Sequence, residues 1–377
     1  AIGRFTFYAL APTIYNIGII IGIIWFADGI ELFGVTLFEG GIMGVALGVV
    51  LGSILQLIVS SIGLIGVGFD YRFSIYWRNK GFKKVLRLLP ARSLDQGIDY
   101  VNSIVETNLA SRMAAGTIRA YQQGLTLHMV PVTLIGVAIS TAAFPKMTER
   151  LADGRHDLFL RELHAVLRVI IWLALPTAVV AFFTRGYLIH FVKNGGEPLM
   201  AGIFGILTIA ILFRCIYHIS ARSFYAQQDT KTPLYVSLFA IGLNIVLALY
   251  FTFSLRLGAY GLAWAQSIVA LVEVVILFTI MKRRIAGLFN RQFRHAILKM
   301  LSATGFVGFT TYISVGFFPL RAVDQSFFAI FPKFMSIIGI AAVVYLICSK
   351  MMGIEEVNPV LRRMYNILFS GIRGKAS

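Results

Sequence analysis

Long apolar stretches, bounded by charged and turn-forming residues, follow one another along the whole chain. A helix needs roughly 17 to 25 mostly apolar residues to cross a bilayer, and ten stretches meet or approach that length. They are Phe5–Phe26, Gly41–Val67, Ser93–Gly116, Arg119–Phe144, Ala165–Thr184, Ala201–Ala226, Pro233–Ser254, Gly258–Met281, Ala296–Phe318 and Phe334–Ser349. The third and fourth are more polar than the rest. The pattern predicts an all-α polytopic membrane protein with about ten transmembrane helices.

Composition supports a membrane protein, since 58% of the 377 residues are hydrophobic and 14% are charged, which is too apolar for a soluble domain. The net charge of +17 raises the possibility of a nucleic-acid partner. The basic residues, however, fall in short loops between apolar stretches, which argues against nucleic acid. Cys215 and Cys348 lie inside apolar stretches and are interpreted as core residues, not as a disulfide or metal site.

The loop charges predict the orientation of the chain. Counting from Arg4, alternate loops are rich in lysine and arginine, whereas the intervening loops hold few, and residues 27–40 hold none. Because basic loops stay inside, we expect a multi-pass protein with both ends in the cytoplasm. On that side Phe82–Leu89 and Leu361–Phe369 are amphipathic, and we expect both to lie along anionic membrane lipids. An ordinary solvated basic loop is the alternative.

A basic stripe marks the sixth stretch, where Arg214, His218 and Arg222 share one helical face at spacing i, i+4, i+8. Arg214 lies near mid-membrane, where a guanidinium facing lipid costs at least a few kcal/mol. We therefore expect it to face a bundle interior or a hydrated cavity. Two roles remain open: a functional contact, or an ion pair that locks two helices together.

An acidic face marks the third stretch, where polar residues follow at i, i+4, i+7 and i+11. They are Asp95, Asp99, Asn102 and Glu106. Three roles remain open: partners for the basic stripe, a cation or proton site that couples transport, or a face hydrated only near the cytoplasm. Further polar groups in neighbouring stretches suggest a hydrated interior, although each alone is more typical of a helix–helix hydrogen bond. They are Gln122, Gln123, Thr126, His128, Asn244, Gln266 and Glu273.

The turn before the seventh stretch has the sequence YAQQDTKTP. Asp229 suits an Asx turn, Thr232 a helix N-cap and Pro233 the first helical position, so the turn is interpreted as structural. The alternative is a gating role in which Asp229 forms an ion pair with Arg222 or Lys231 when the conformation changes. The sequence has no phosphate-binding loop, HExxH or GxSxG motif. We therefore expect a transporter and not an enzyme.

The residues around this turn match the pattern RxFYAxxDTxTP through Arg222, Phe224, Tyr225, Ala226, Asp229, Thr230, Thr232 and Pro233. Further motifs are LAPTIYNIGIIIG at residues 10–22, LASRMAAGTI at 109–118 and PVTLIGVAISTAAFPKMTE at 131–149. On these motifs the whole chain resembles the MviN/MurJ family of lipid II flippases, which shares a superfamily with multidrug (MATE) and polysaccharide exporters.

The resemblance implies MOP/MATE-like lobes built from fourteen helices, of which the ten stretches correspond to the fifth to the fourteenth. Residues 1–68 would hold the last two helices of the N-terminal lobe, and residues 69–90 a basic amphipathic linker in the cytoplasm. Residues 91–285 would form a six-helix C-terminal lobe, 286–350 two additional helices, and 351–377 an amphipathic tail. The first four helices, with the family's main cavity arginines, are expected to precede this chain.

The resemblance also implies a function in the bacterial plasma membrane. A lipid II flippase moves the undecaprenyl-diphosphate-linked disaccharide-peptide from the cytoplasmic to the outer leaflet by alternating access. The expected substrate contacts are Arg214, His218, Arg222 and Arg119. The candidate coupling-ion residues are Glu106 and Asn244. We expect a monomer with no cofactor beyond Na⁺, H⁺ or the membrane potential as driving force, and other cell-wall synthesis proteins as candidate partners.

The chain departs from the family pattern at two places. Many members carry an Asp-Arg step on the eighth helix, with an acidic residue three positions later in some, where this chain has Leu125, Thr126 and Met129. That cationic contact is lost or moved, and Arg214 or Arg119 would compensate. Where some members bind sodium, Ala248 replaces a second carboxylate. A sodium site is therefore only weakly supported, and no firm metal site is predicted.

Three other functions are compatible with parts of this pattern. Within transport, the alternatives are a drug/cation antiporter of the related superfamily and an oligosaccharide-lipid flippase. An antiporter for cationic drugs should have a mainly acidic cavity, whereas the sixth stretch is basic. A membrane scaffold that does not transport is the alternative from a different class.

Overall fold

A computed structural model describes residues 5–32, 35–38, 40–63, 82–83, 100–193, 196–285, 287–321, 324 and 326–373. Asp95 and Asp99 lie outside these residues, as does the predicted linker apart from Phe82 and Lys83. The chain forms two compact units, Ala1–Leu86 and Arg87–Ser377.

The first unit is a helical pair joined by a short hairpin. Helix α1 (Phe5–Ile21) runs into a π-helical turn at Gly22–Phe26. Strands β1 (Ile30–Leu32) and β2 (Val35–Phe38) pair in an antiparallel hairpin, and α2 (Ile42–Ile62) follows.

Glycines allow α1 and α2 to pack closely. Gly44, Gly48 and Gly52 recur every fourth residue on α2 and are buried. A Cβ atom added to Gly48 would lie 2.5 Å from the Cα of Gly22. A face of small residues is a common way for membrane helices to associate, because apolar contact alone gives little advantage over lipid.

The described part of the second unit is helical. Its helices are α3 (residues 100–111), α4 (Thr117–Pro131), α5 (Ala138–Ala152), α6 (His156–Phe183), α7 (Arg185–Val192), α8 (Pro198–Ala226), α9 (Lys231–Leu249), α10 (Ala259–Arg284), α11 (Arg291–Phe317), α12 (Phe327–Met351) and α13 (Val357–Arg373). π-Helical turns at Val132–Val137 and Tyr250–Ser254 join α4 to α5 and extend α9.

The helices agree with the predicted spans. In the described chain, eight helical segments are long and apolar enough to cross a membrane, and α1 with its π turn adds the shorter apolar segment Leu10–Phe26. These nine coincide with nine of the ten predicted spans. The remaining one is the third, of which residues 100–116 are described. The predicted all-α membrane fold is confirmed, and the hairpin is a departure from it.

Helix α8 lies at the centre of the second unit, where it packs against α4, α6 and α10. Its sequence is apolar on several sides, and large side chains such as Phe204, Ile211 and Phe224 are fully buried. A helix that is hydrophobic all round is expected to be enclosed by others. The few polar side chains of α8 are therefore held in fixed positions inside the bundle.

Side-chain contacts show which helix ends adjoin. Lys146 contacts Glu162 at 2.7 Å between the end of α5 and the start of α6. Arg284, at the end of α10, contacts Asp229 in the α8–α9 turn at 2.6 Å. At another end of the unit, Tyr187 of α7 donates a hydrogen bond to the backbone carbonyl that follows α11. These pairs are the ones expected if consecutive long helices cross the membrane in alternate directions.

Candidate functional site

A cavity of about 550 Å³ lies between α3, α4, α8, α9 and α10, inside the second unit. Its polar lining consists of Asn102, Ser103, Glu106, His128, Arg214, Tyr217, His218, Ser237, Asn244, Gln266 and Glu273. The surrounding helices are apolar, and charges within such a bundle require partners or water. The predicted hydrated interior thus corresponds to a defined cavity.

Arg214 faces this cavity and is held by α10. Its Nη1 donates to the Oε2 of Glu273 at 3.2 Å, and its Nη2 donates to the Oε1 of Gln266 at 3.0 Å. Glu273 is 3% exposed and also accepts a hydrogen bond from Ser237 at 3.0 Å. Glu106 does not contact Arg214 directly, because Gln266 accepts a hydrogen bond from Arg214 and donates one to Glu106. The expectation that Glu106 is a direct partner of Arg214 is therefore wrong.

Glu106 is the centre of a buried hydrogen-bond network. Its Oε1 accepts from Asn244 and Gln266, both at 2.6 Å, and from Asn102 at 3.1 Å. Its Oε2 accepts from the hydroxyl of Tyr121 at 3.0 Å. The side chain is buried, and four donors compensate the hydration that an ionised carboxylate loses on burial. The network joins α3 to α4, α9 and α10.

The cavity holds more carboxyl groups than guanidinium groups. Its lining contains Glu106, Glu273 and Arg214, and with both carboxyl groups ionised and the histidines neutral the formal charges sum to about −1. His128 is engaged through its Nδ1, which lies 2.7 Å from the carbonyl of Leu125. The Oδ1 atom of Asn244 is buried and has no hydrogen-bond partner among the described residues. An oxygen acceptor is thus available beside an excess negative charge.

The other predicted basic contacts are distributed differently. His218 lines the cavity with Arg214 and contacts the Tyr217 ring edge-on at 5.6 Å between centroids. Arg222 instead donates to the hydroxyl of Thr141 on α5 at 2.7 Å and does not line the cavity. Arg119 is exposed in the first turn of α4 and does not line it either. The three-residue stripe therefore contributes two side chains to the cavity, because the third faces α5.

The turn before α9 is organised by Asp229. Its Oδ1 accepts from the backbone N–H groups of Lys231 and Thr232 at 3.1 and 3.0 Å, and its Oδ2 accepts from the Thr232 hydroxyl at 2.6 Å. Asp229 therefore caps α9, and the predicted N-cap at Thr232 is wrong. Because α9 begins at Lys231, Pro233 is not the first helical residue but lies within the first turn. A proline there removes an N–H that has no partner inside the helix.

The ion-pair partner of Asp229 comes from α10. Arg284 reaches its Oδ2 at 2.6 Å in this conformation. The contact with Arg222 or Lys231, expected only when the conformation changes, stays a prediction. The Arg284 guanidinium also lies over the ring of Phe224, 5.2 Å from the centroid. Desolvation raises the pKa of Asp229, but the hydrogen bonds from Thr232 and Arg284 outweigh it and lower the pKa from 3.8 to about 2. The turn thus joins α8, α9 and α10.

Sequence reasoning missed several members of these networks as specific partners. Glu273 and Gln266 were recognised as polar residues in an apolar stretch but not as partners of Arg214. Tyr121 gave no signal, because a tyrosine in a membrane helix commonly lies at a lipid interface. Arg284 is one of several basic residues that follow the eighth stretch, and the sequence gives no reason to single it out. The signal available for Glu273 was a lone carboxylate in the middle of an apolar stretch, which needs a partner inside the bundle.

An apolar helical bundle with a charged cavity inside it is the architecture of a multi-pass membrane transport protein. Residues 1–332 match the family model described as "Lipid II flippase MurJ". The chain therefore belongs to the MurJ family of lipid II flippases.

Individual relatives agree with this assignment. A probable lipid II flippase MurJ of Borreliella burgdorferi is 23% identical over 88% of this chain and 66% of its own length. A probable lipid II flippase MurJ of Thermotoga maritima is 24% identical over 96% and 68%. A solved structure titled "Lipid II flippase MurJ, inward closed conformation" superposes with a TM-score of 0.69 at 25% identity, covering 91% of this chain and 66% of that one. The chain thus spans about two thirds of the length of these proteins.

Proposed function

We propose that this chain acts in a lipid II flippase, which moves the undecaprenyl-diphosphate-linked disaccharide-peptide to the outer leaflet by alternating access. Family membership over residues 1–332 is the observation that carries the proposal. The charged cavity is consistent with it, because moving a diphosphate across hydrocarbon requires groups that compensate charge. The location is the bacterial plasma membrane, with both ends of the chain in the cytoplasm.

The cavity residues have two roles in this proposal. The excess negative charge and the unpartnered Asn244 oxygen favour a coupling cation or proton near Glu106. Rotation of the Asn244 amide would direct its oxygen, in place of its nitrogen, towards the Glu106 carboxylate. Arg214 is the candidate contact for the substrate, although in this conformation Glu273 holds it. The same acidic excess would suit a cationic drug, but family membership favours a coupling ion.

A set of charge variants distinguishes a substrate contact from an ion pair that only joins two helices. The variants Arg214→Gln, Glu273→Gln and the double variant are placed in the full-length protein and tested for growth of a flippase-depleted strain. Each single variant removes one charge of the Arg214–Glu273 pair. Because Arg214 is 27% exposed, the cost should be smaller than the roughly 3 to 5 kcal/mol of a fully buried pair. The double variant removes both charges and should restore folding and membrane insertion.

The two roles predict different growth for the double variant. If Arg214 acts on the substrate or its coupling, the double variant is inserted normally but does not support growth. Normal growth of the double variant would show that the pair is structural and would remove Arg214 from the mechanism. Lysine at position 146 provides the control, because Lys146→Gln breaks a partly exposed pair with Glu162 and should leave growth unchanged.

A further inference from the structure

A basic cleft lies apart from the cavity described above. It forms where α6, the start of α11 and the loop between α12 and α13 meet, and it consists of two adjoining depressions of about 510 and 110 Å³. The two depressions share Arg168, Gln292, Glu355 and Glu356 in their walls. No residue of this cleft lines the cavity that contains Arg214.

The cleft has a surplus of positive charge. Its described basic residues are Arg161, His164, Arg168, His295 and Lys299. Both carboxylates in the cleft are engaged by Arg168, at 2.9 Å for Glu355 and 2.5 Å for Glu356. Within the described chain no ion pair joins Arg161 or Lys299 to a carboxylate. These two cations are therefore available to an anionic ligand.

The cleft also has apolar residues beside its basic ones, which favours an anion that carries acyl chains over a small soluble anion. Ala165 and Val169 alternate with the basic residues of α6 and lead into the apolar part of that helix. The neighbouring helix α13 carries exposed Met364 and Tyr365 next to exposed Arg362. An exposed face of this composition is typical of a helix that lies at a bilayer surface. The cleft thus opens where headgroups and the first acyl carbons would be.

We propose that this cleft binds the phosphate headgroup of an anionic phospholipid, with Arg161 and Lys299 as its principal contacts. Basic pockets between transmembrane helices are known sites for anionic headgroups. Glu355 weakens anion binding in this site, because its carboxylate, although 68% exposed, forms an ion pair with Arg168 that competes with an anionic ligand. The cleft shares no lining residue with the cavity that contains Arg214, so a lipid-retention test does not depend on the proposed function.

The test measures lipid retention by native mass spectrometry of the purified full-length protein released from nanodiscs of mixed phosphatidylglycerol and phosphatidylethanolamine. The Arg161→Gln/Lys299→Gln variant should retain about thirtyfold less phosphatidylglycerol than the parent, since each of the two cations near an anionic surface contributes roughly 1 kcal/mol. Retention of phosphatidylethanolamine should not change. The control Arg155→Gln/Arg283→Gln removes the same charge from exposed residues outside the cleft and should behave like the parent.

A second variant tests the opposite direction, which loss of folding cannot imitate. Glu355→Gln releases part of Arg168 and should increase phosphatidylglycerol retention severalfold. The proposal is overturned if the two double variants lose phosphatidylglycerol equally, or if Glu355→Gln lowers retention. Displacement of the lipid by inorganic phosphate at equal concentration would assign the site to a soluble phosphate and would also overturn it.

Discussion

At the scale of single residues, Asp229 links a helix cap to an ion pair, and its ionisation should be visible in the stability of the protein. Its folded-state pKa is about 2, below the ordinary value of 3.8, so its contribution is complete above about pH 4 and is lost as the pH falls towards 2. Asp229→Asn should lower the unfolding free energy by about 1 kcal/mol at neutral pH, since the group is partly exposed. The difference from the parent should shrink below pH 4.

Thermal unfolding in detergent micelles between pH 3 and pH 7 measures this difference. Asp153→Asn is the matched control, because it makes the same substitution at an exposed aspartate just after α5. A difference between the parent and Asp229→Asn that stays constant down to pH 3 would show that the Asp229 charge does not stabilise the turn.

Glu106 is the residue expected to respond to a coupling cation. Sodium chloride, compared with choline chloride at equal ionic strength, should raise the thermal unfolding midpoint of the purified full-length protein. A ligand at a hundred times its Kd stabilises by about 2.7 kcal/mol, which is readily measured. Glu106→Gln should abolish the shift, whereas Glu162→Gln, which alters a partly exposed pair with Lys146, should retain it. A sodium shift that survives Glu106→Gln would place the ion elsewhere.

The sequence predicted which side chains share a helix face but not which helices adjoin. The i, i+4 spacing placed Arg214 and His218 together correctly, because that spacing is a property of one helix. Choosing the partner of Arg214 required knowledge of packing between helices, because the third stretch offers several carboxylates and the eighth only Glu273. The cap was misplaced because aspartate and threonine are both good N-cap residues and stand three positions apart.

At the scale of elements, the π-helical turn after α4 depends on close contact with α8. A Cβ added to Gly136 would lie 2.6 Å from the Cα of Cys215. Because Cα is a backbone atom, the backbone of α8 would have to shift to relieve the clash. Gly136→Ala should therefore destabilise the protein by about 1 to 3 kcal/mol, as overpacking does. The measurement is the thermal unfolding midpoint in detergent. Gly136 lies close to His128 in the chain, so the same variant should also disturb the cavity wall.

Gly242→Ala provides the control for that experiment, since Gly242 is helical in α9 and a Cβ there would meet no atom within 4 Å. It should be neutral or slightly stabilising, because alanine is the better helix former by about 1 kcal/mol. Equal destabilisation by both alanines would mean that close packing against Cys215 is not the cause.

The helices were predicted best where the length of an apolar stretch is enough to define a membrane span. Nine of the spans were recovered in the described chain because a membrane helix must be long and apolar. The beginning of α6 was missed, since the helix starts at His156 and its first turns are polar. The β-hairpin between α1 and α2 was missed too, because short strands of about three or four residues leave little periodicity to detect.

At the scale of the whole molecule, the distribution of basic loops predicts the orientation of every span. Short loops rich in lysine and arginine remain in the cytoplasm, and the loop after α5 is one of these, whereas the short loop after α9 is not. The thiol introduced by Asp153→Cys should therefore react with a reagent on the cytoplasmic side, and the thiol introduced by Ser254→Cys with a reagent on the outer side. Both positions are exposed, so either thiol can react once a reagent reaches its side.

The measurement is labelling with a membrane-impermeant maleimide in spheroplasts, in a full-length protein whose native cysteines, including Cys215 and Cys348, have been replaced. Ser254→Cys should be labelled in intact spheroplasts, and Asp153→Cys only after permeabilisation. Labelling of both after permeabilisation controls for burial of either thiol. The reverse order would invert the topology and place the lipid-binding cleft on the outer face. Labelling of both in intact spheroplasts would contradict alternate crossing, because α6, α8 and α9 lie between the two positions and require them to face opposite sides.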